Sequence, residues 1–119
     1  MASLNYDEIF EAAAKIMLCI DQSITMHFTP NAVRIQLPTT RKLAEYLQMP
    51  HYYVLPYFAT MEKEDIITRV ERVGISTTKK GSKKLIEIMA TKYKEETESI
   101  LGTTFFVEIQ KQVLAEQQR

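Results

Sequence analysis

The sequence is poor in the residues from which metal sites and catalytic sites are built. Its 119 residues include one cysteine, two histidines and no tryptophan. Cys19 has no second cysteine for an internal disulfide, and with only His27 and His51 beside it the chain lacks the ligands of a structural zinc site. We find no glycine-rich phosphate loop and no nucleophile with an assignable base. We therefore expect neither an enzyme nor a bound metal or cofactor.

Long hydrophobic runs are absent as well. The longest purely apolar run extends from Ile16 to Ile20, whereas a helix that crosses a bilayer needs roughly 20 residues. The first residues include Asp7 and Glu8 and no basic stretch of the kind that opens an export signal. We expect no membrane span and no export signal, and the scarcity of cysteine favours the reducing cytoplasm.

The remaining composition suffices for a hydrophobic core. With 45% hydrophobic and 25% charged residues, the chain is expected to form a single globular domain over residues 1–119. The net charge is zero, but residues 34–84 carry ten Lys and Arg against five Asp and Glu, and acidic residues predominate on both sides. A basic middle between acidic ends is typical of a protein that binds a polyanion with one face.

The N-terminal residues predict a helix. Asn5 and Glu8 have capping-box spacing, so the helix starts near Tyr6 and continues to about residue 22. Its apolar face consists of Ile9, Ala13, Ile16 and Ile20. Cys19 lies beside this face, and we interpret it as a small core or boundary residue.

The next elements are a strand and a short helix. Residues 23–31 have an irregular pattern. Apolar residues then alternate with polar ones as in a half-buried strand, which Pro38 ends: Val33, Ile35 and Leu37. Thr39 or Thr40 can cap the second helix, which Pro50 interrupts and whose inward positions are Leu43, Ala44 and Leu47.

The second half predicts a helix, a hairpin and two more helices. Val54, Phe58 and Met61 mark the third helix, and the β-prone runs at 66–70 and 73–77 form a small hairpin. Thr78 can cap a long helix from Lys79 to Leu101, which Gly102 ends. A last helix starts at Thr103 or Thr104, with one side formed by Phe105, Ile109 and Val113; the run 105–107 could instead be a strand.

This order is that of a winged helix-turn-helix, a mainly α fold with a small β-hairpin (α+β). The segment LPTTRKLA at 37–44, with Val54, Met61 and the pair at 66–67, resembles the GntR-type pattern of bacterial and archaeal regulators. The segment TTKKG at 77–81 resembles the step from wing to dimerisation helix in MarR-type and PadR-type regulators. The resemblance implies a winged-helix core at about 33–85 and dimerisation helices at about 5–22 and 78–118.

Two residues depart from these patterns. Asp65 stands where the pattern has glycine between recognition helix and wing, and aspartate tolerates the left-handed conformation better than most residues. Pro56 falls inside the expected recognition helix. Since proline is tolerated in the first turn of a helix, we expect the regular part of this helix to begin late, near Tyr53.

The recognition helix is expected to present an aromatic face to double-stranded DNA. Its candidate groove contacts are His51, Tyr52, Tyr53 and Tyr57. Within this helix no Arg or Lys precedes Lys63. Such a face can contact thymine methyl groups but lacks the bidentate contact of arginine to guanine, so base preference should be modest or lean towards A·T. Alternatively these rings cover the core or a protein interface, and packing is the favoured role for Tyr57.

Phosphate contacts are then expected from neighbouring elements. Two basic sets lie at helix N-termini, where cations oppose the helix dipole and a bound polyanion would remove the conflict. The candidate phosphate-binding residues are Thr39, Thr40, Arg41, Lys42, Arg69, Arg72, Lys79, Lys80, Lys83 and Lys84.

These features favour a homodimeric, nucleoid-associated transcriptional repressor. The outer helices have more apolar surface than a small winged helix needs, which indicates dimerisation; the alternative is a monomer whose last helix folds back onto the first. A centromere-binding partition adaptor of the same fold and a protein-interaction module without DNA binding stay open as alternatives. A small-molecule effector is possible, and no residue cluster identifies one.

Overall fold

The chain is mainly helical, with two small antiparallel hairpins. The computed structural model describes the backbone of residues 5–72 and 74–117 and the side chains of these residues up to 113. In chain order the elements are α1 (Tyr6–Lys15), a π-helix π1 (Ile16–Asp21), β1 (Met26–Phe28), β2 (Val33–Ile35), α2 (Thr40–Leu47), α3 (His51–Lys63), β3 (Ile67–Val70), β4 (Gly74–Thr77), α4 (Lys79–Lys92), α5 (Lys94–Leu101) and α6 (Thr103–Gln117).

The first helix starts as predicted but changes its winding before it ends. The Asn5 side chain accepts a hydrogen bond from the Glu8 N–H at 2.9 Å, which confirms the predicted cap. From Ile16 the chain forms a π-helix, and it leaves the helix at Gln22 with φ of 52°. The wider turn rotates the last residues away from the face set by the α-helical spacing. The interpretation of Ile20 and Cys19 as core or boundary residues is therefore wrong: Ile20 is 58% exposed and Cys19 is also exposed.

The segment predicted to be irregular contains a strand. β1 pairs antiparallel with β2, so that Met26 lies opposite Ile35 and Phe28 opposite Val33. Directly after β2, a bridge between Gln36 and Ser76 connects the first hairpin to the second. The two hairpins therefore lie side by side in the order β1, β2, β4, β3. The prediction failed because β1 has three residues, too few for alternation to be visible.

The third helix begins earlier than expected. Thr39 caps α2 by accepting a hydrogen bond from the Lys42 N–H, as predicted. α3 begins at His51, directly after Pro50, so the late start near Tyr53 is wrong and Pro56 lies inside the helix. Proline removes only the hydrogen bond to the carbonyl of residue 52. Because that residue is exposed, water can satisfy the carbonyl.

The second hairpin has the predicted position. β3 and β4 pair from Ile67 opposite Thr77 to Val70 opposite Gly74; Val73, part of the predicted run, lies outside the described residues. Asp65 has φ of 62°, so it adopts the left-handed conformation expected at this position.

The predicted long helix is two helices. α4 ends at Lys92, Tyr93 has φ of −133° and ψ of 37°, and α5 then runs to Leu101. Gly102 ends α5 with φ of 85°, and α6 begins at Thr103, so the strand alternative for 105–107 is wrong. The bend lets α6 pack against α4 as well as α5.

The outer helices bury their apolar rows within the chain. α1 contributes Ile9 and Phe10 to the core, α4 contributes Leu85 and Met89, and α6 contributes Phe106, Ile109 and Val113. The prediction of Phe105 on the inward side of α6 is wrong, since Phe105 is 44% exposed and Phe106 takes its place. No described helix is long and apolar enough to cross a membrane.

Candidate nucleic-acid interface

The N-terminal ends of α2 and α3 meet at one place on the surface. Thr40 is the first residue of α2 and His51 the first of α3, and Thr40 Oγ1 lies 2.7 Å from His51 Nε2. The unpaired N–H groups of a helix N-terminus and the positive end of its dipole favour an anion. Arg41 is exposed in the first turn of α2, which adds a full positive charge to this location. The junction therefore has the electrostatics of a phosphate-binding site.

The exposed face of α3 is aromatic, as the sequence predicted. Tyr52 is 67% exposed and Tyr53 56%, and their ring centroids are 4.9 Å apart with an angle of 34° between the planes. The opposite face of the helix is held in the core by Val54, Phe58 and Met61, all fully buried. Tyr57 is half-buried and packs against this core, which agrees with the packing role favoured for it.

Two polar side chains of α3 form hydrogen bonds within the protein. The Thr60 hydroxyl donates to the carbonyl of Pro56 at 3.0 Å. The Nε2 atom of His51 forms a hydrogen bond with the Thr40 hydroxyl. The first turns of the helix therefore offer two phenol groups and the apolar surface of Leu55, which is 38% exposed, and Lys63 is exposed at its C-terminal end.

One hairpin arginine lies in β3 and the other in the turn that follows it. Arg69 Nε donates to Glu62 Oε1 at 3.2 Å, and both side chains remain about half exposed. Arg72 is exposed in the turn itself and has φ of 67°. The contact to Glu62 holds Arg69 against the C-terminal end of α3, so the hairpin and this helix present their charges to the same region.

The predicted lysines do not form one surface. Lys42 is paired with Asp21 at 2.7 Å, whereas Lys84 is paired with Asp7 of α1 at 2.8 Å. Lys80 Nζ lies 3.5 Å from the carbonyl of Glu64, at the end of α3. Lys83 is half-buried and Lys79 is exposed. The structure thus places Thr39, Thr40, Arg41, Lys42, His51, Tyr52 and Tyr53 together and directs Lys84 towards the first helix instead.

Sequence reasoning missed the acidic partners of these cations. Asp21 and Glu62 each form an exposed ion pair with a residue expected to bind phosphate. Asp21 is 21 positions from Lys42, and a pairing at this distance leaves no periodic signal. Glu62 and Arg69 are separated by a turn between helix and strand, for which no spacing rule applies.

A tyrosine of α1 fixes the far end of α3. The Tyr6 hydroxyl donates to Glu64 Oε2 at 2.5 Å. This hydrogen bond to the carboxylate raises the pKa of Tyr6 above its ordinary value, and burial and the negative charge of Glu64 act in the same direction. Because Lys80 also reaches the Glu64 carbonyl, the starts of α1 and α4 are both attached at this point.

Other perturbed groups lie away from this interface. A hydrogen bond to Tyr46 raises the pKa of Lys15, and a hydrogen bond to Glu11 raises that of Lys92. Burial raises the pKa of Tyr93, which stands at the break between α4 and α5. Within the described residues no group of three or more His, Cys, Asp or Glu side chains could hold a metal ion.

Comparison of the chain with protein-family models, curated proteins and solved structures finds no match.

Proposed function

We propose that this protein binds double-stranded DNA as a winged-helix homodimer and regulates transcription as a repressor. The observation that carries the proposal is the junction of the α2 and α3 N-termini at Thr40 and His51, beside the exposed tyrosine pair of α3. A helix that enters a DNA groove needs this combination, because its flank must hold the phosphate backbone while its exposed side chains meet the base edges.

The arrangement of elements supports this assignment. α1, β2, α2, α3 and the β3–β4 hairpin follow one another in the order of a winged helix, and β2 lies beside β4 through the Gln36–Ser76 bridge. The hairpin lies next to the end of α3, where Glu62 contacts Arg69. In this reading α3 is the recognition helix and the hairpin is the wing.

The two parts of the surface have different tasks. Arg41, Lys42, Arg69 and Arg72 supply positive charge for phosphates and so determine affinity and its dependence on salt. Tyr52 and Tyr53 face the bases and supply the modest sequence preference. Repression follows if the protein occupies a promoter.

The experiment is a fluorescence-anisotropy titration of duplex DNA at several salt concentrations. The variant Arg69→Ala/Arg72→Ala should lose affinity about equally for all sequences, and its salt slope should fall by about two relative to the parent chain. The matched control is Lys94→Ala/Lys111→Ala, which removes two exposed cations from α5 and α6 and should lose much less affinity. Equal affinity of the parent chain and the arginine variant would contradict the proposal and favour a protein-interaction module.

A further inference from the structure

The outer edge of β1 has unpaired backbone groups. The Gln36 N–H donates to the Thr25 carbonyl and the Thr29 N–H donates to the Ala32 carbonyl, each at 2.9 Å. Residues 25, 27 and 29 therefore direct their backbone groups towards β2. Because these directions alternate along an antiparallel strand, the N–H and C=O groups of Met26 and Phe28 point away from the sheet.

Apart from its length of only three residues, this edge lacks the usual protections against strand addition. Natural edge strands are commonly guarded by charged residues, prolines or a covering element. Residues 23–29 contain no charged residue and no proline. Among the described residues, no backbone hydrogen bond joins Met26 or Phe28 to an element other than β2. Phe28 is 53% exposed although it lies opposite the fully buried Val33.

We propose that the β1 edge pairs with the β1 edge of a second copy of this chain, in antiparallel register about a two-fold axis at His27. In this register Met26 lies opposite Phe28 of the partner subunit, and Phe28 opposite Met26 of the partner subunit. Each of these pairs exchanges two backbone hydrogen bonds, so all four outward donors and all four outward acceptors of the two strands are placed against each other. The two sheets become one continuous sheet.

The side chains also favour a second copy as the occupant. Met26 and Phe28 lie on the core face of the sheet, since their partners Ile35 and Val33 are buried. With this two-fold symmetry, each Phe28 contacts Met26 of the partner subunit across the new strand pair. The contact continues the apolar layer on the core face of the sheet. Phe105, 44% exposed, stands edge-to-face against Phe28 with ring centroids 6.2 Å apart and widens this apolar surface.

An isologous contact requires that one surface complement itself. The β1 edge satisfies this condition, because it contains no Asp, Glu, Lys or Arg and the neutral imidazole of His27 faces its own copy at the axis. This inference deepens the homodimer of the proposed function and gives it a surface, since the apolar rows that the structure describes on α1, α4 and α6 are buried within the chain. It requires no DNA and can be tested without it.

The sharpest test is a disulfide at the two-fold axis. Residues that face each other outside the hydrogen-bonded pairs have Cα atoms about 4.5 Å apart, a distance that a disulfide can bridge. In a Cys19→Ser background, His27→Cys should therefore form a covalent dimer almost completely under mild oxidation. The matched control is Arg34→Cys, which neighbours His27 on β2 and lies about 14 Å from its copy across three strand spacings. Equal cross-linking of the two cysteine variants would overturn the proposal.

A second test uses the chain without cysteine substitutions. Met26→Pro removes an outward N–H and no hydrogen bond to β2, so circular dichroism should be unchanged. Sedimentation equilibrium should show at least about a tenfold weaker dimer than for the parent chain, because two of the four intersubunit donors are lost. A parent chain that is monomeric at about 50 μM, or a dimer that Met26→Pro leaves intact, would overturn the β1 interface. Neither result would remove DNA binding, which the arginine variant tests separately.

Discussion

The hydroxyl groups of Thr77 and Ser82 lie 2.6 Å apart and close the gap between β2 and α4. The Ile35 N–H donates to Thr77 Oγ1 at 2.9 Å, and Ser82 Oγ donates to the carbonyl of Val33. Since Ser82 uses its proton on Val33, Thr77 must donate to Ser82. One directed chain of hydrogen bonds thus connects the two hairpins and the first turn of α4 in the buried interior.

We predict that Ser82→Ala destabilises the protein by about 1–3 kcal/mol. The substitution leaves the buried carbonyl of Val33 without its side-chain donor and the Thr77 hydroxyl without an acceptor, and each unpaired buried group carries a desolvation cost. Urea denaturation followed by circular dichroism measures the free energy of unfolding. Ser99→Ala on the exposed side of α5 is the matched control and should change it by less than about 0.5 kcal/mol. Similar values for both variants would contradict the hydroxyl chain.

Gly81→Ala should also destabilise the protein, by more than about 2 kcal/mol. A Cβ at this position would lie 2.0 Å from the backbone carbonyl oxygen of Ile66, so α4 would have to move. Helix propensity alone gives the opposite sign, because alanine is favoured over glycine by about 1 kcal/mol within a helix. The melting temperature decides between the two. An unchanged or raised melting temperature would show that α4 does not lie this close to the carbonyl of Ile66.

The start of α4 shows why part of this fold could be predicted. In the TTKKG segment, Thr78 caps α4, and its hydroxyl accepts a hydrogen bond from the Gly81 N–H. Gly81 itself leaves room for the backbone carbonyl of Ile66. The cap acts over three residues and is therefore visible in the sequence, whereas the contact of Gly81 with Ile66 joins residues fifteen positions apart and is not. The cap at Asn5 and the hairpin turn were predictable for the same reason.

The features that sequence reasoning missed depend on contacts between distant residues or on small local changes in winding. β1 forms because β2 offers it an edge, and the π-helix at 16–21 shifts Ile20 out of the core without any glycine or proline to mark the change. In the site, the aromatic face of α3 followed from helical spacing, whereas the pairing of Lys42 with Asp21 required the folded chain.

Replacing Tyr6 with phenylalanine should reduce the loss of stability at alkaline pH. The hydrogen bond to Glu64 raises the pKa of Tyr6 in the folded protein. The stabilisation is therefore fully present below the unfolded value of about 10 and is lost as the pH rises through the folded value. Melting temperatures from pH 7 to 11 measure it, with Tyr52→Phe as the control at an exposed position. A parent chain and Tyr6→Phe with parallel profiles would contradict the role of this contact.

Asp21→Asn should strengthen DNA binding by up to about fivefold. Asp21 holds Lys42 in an exposed ion pair, which opposes phosphate binding by roughly 0.2–1 kcal/mol. The change frees the lysine and removes a negative charge beside the α2 N-terminus. Asp7→Asn is the matched control, because it frees Lys84 on the side of α1 and should change affinity less. If Asp7→Asn gives the larger gain, the DNA lies on the α1 side of the protein.

The exposed groups of α3 determine which base contacts the proposed DNA complex can make. Because Thr60 and His51 are engaged within the protein and the exposed groups are Tyr52 and Tyr53, base contacts should be made mainly to thymine methyl groups. A duplex taken from a selected binding site and synthesised with uracil in place of thymine should bind about fourfold more weakly for each methyl group contacted, since each buried methyl contributes about 0.8 kcal/mol. The variant Tyr52→Ala/Tyr53→Ala should bind both duplexes alike, which separates ring contacts from changes in DNA shape. If the parent chain binds both duplexes equally, the tyrosine pair does not read methyl groups, and its exposed rings serve another surface.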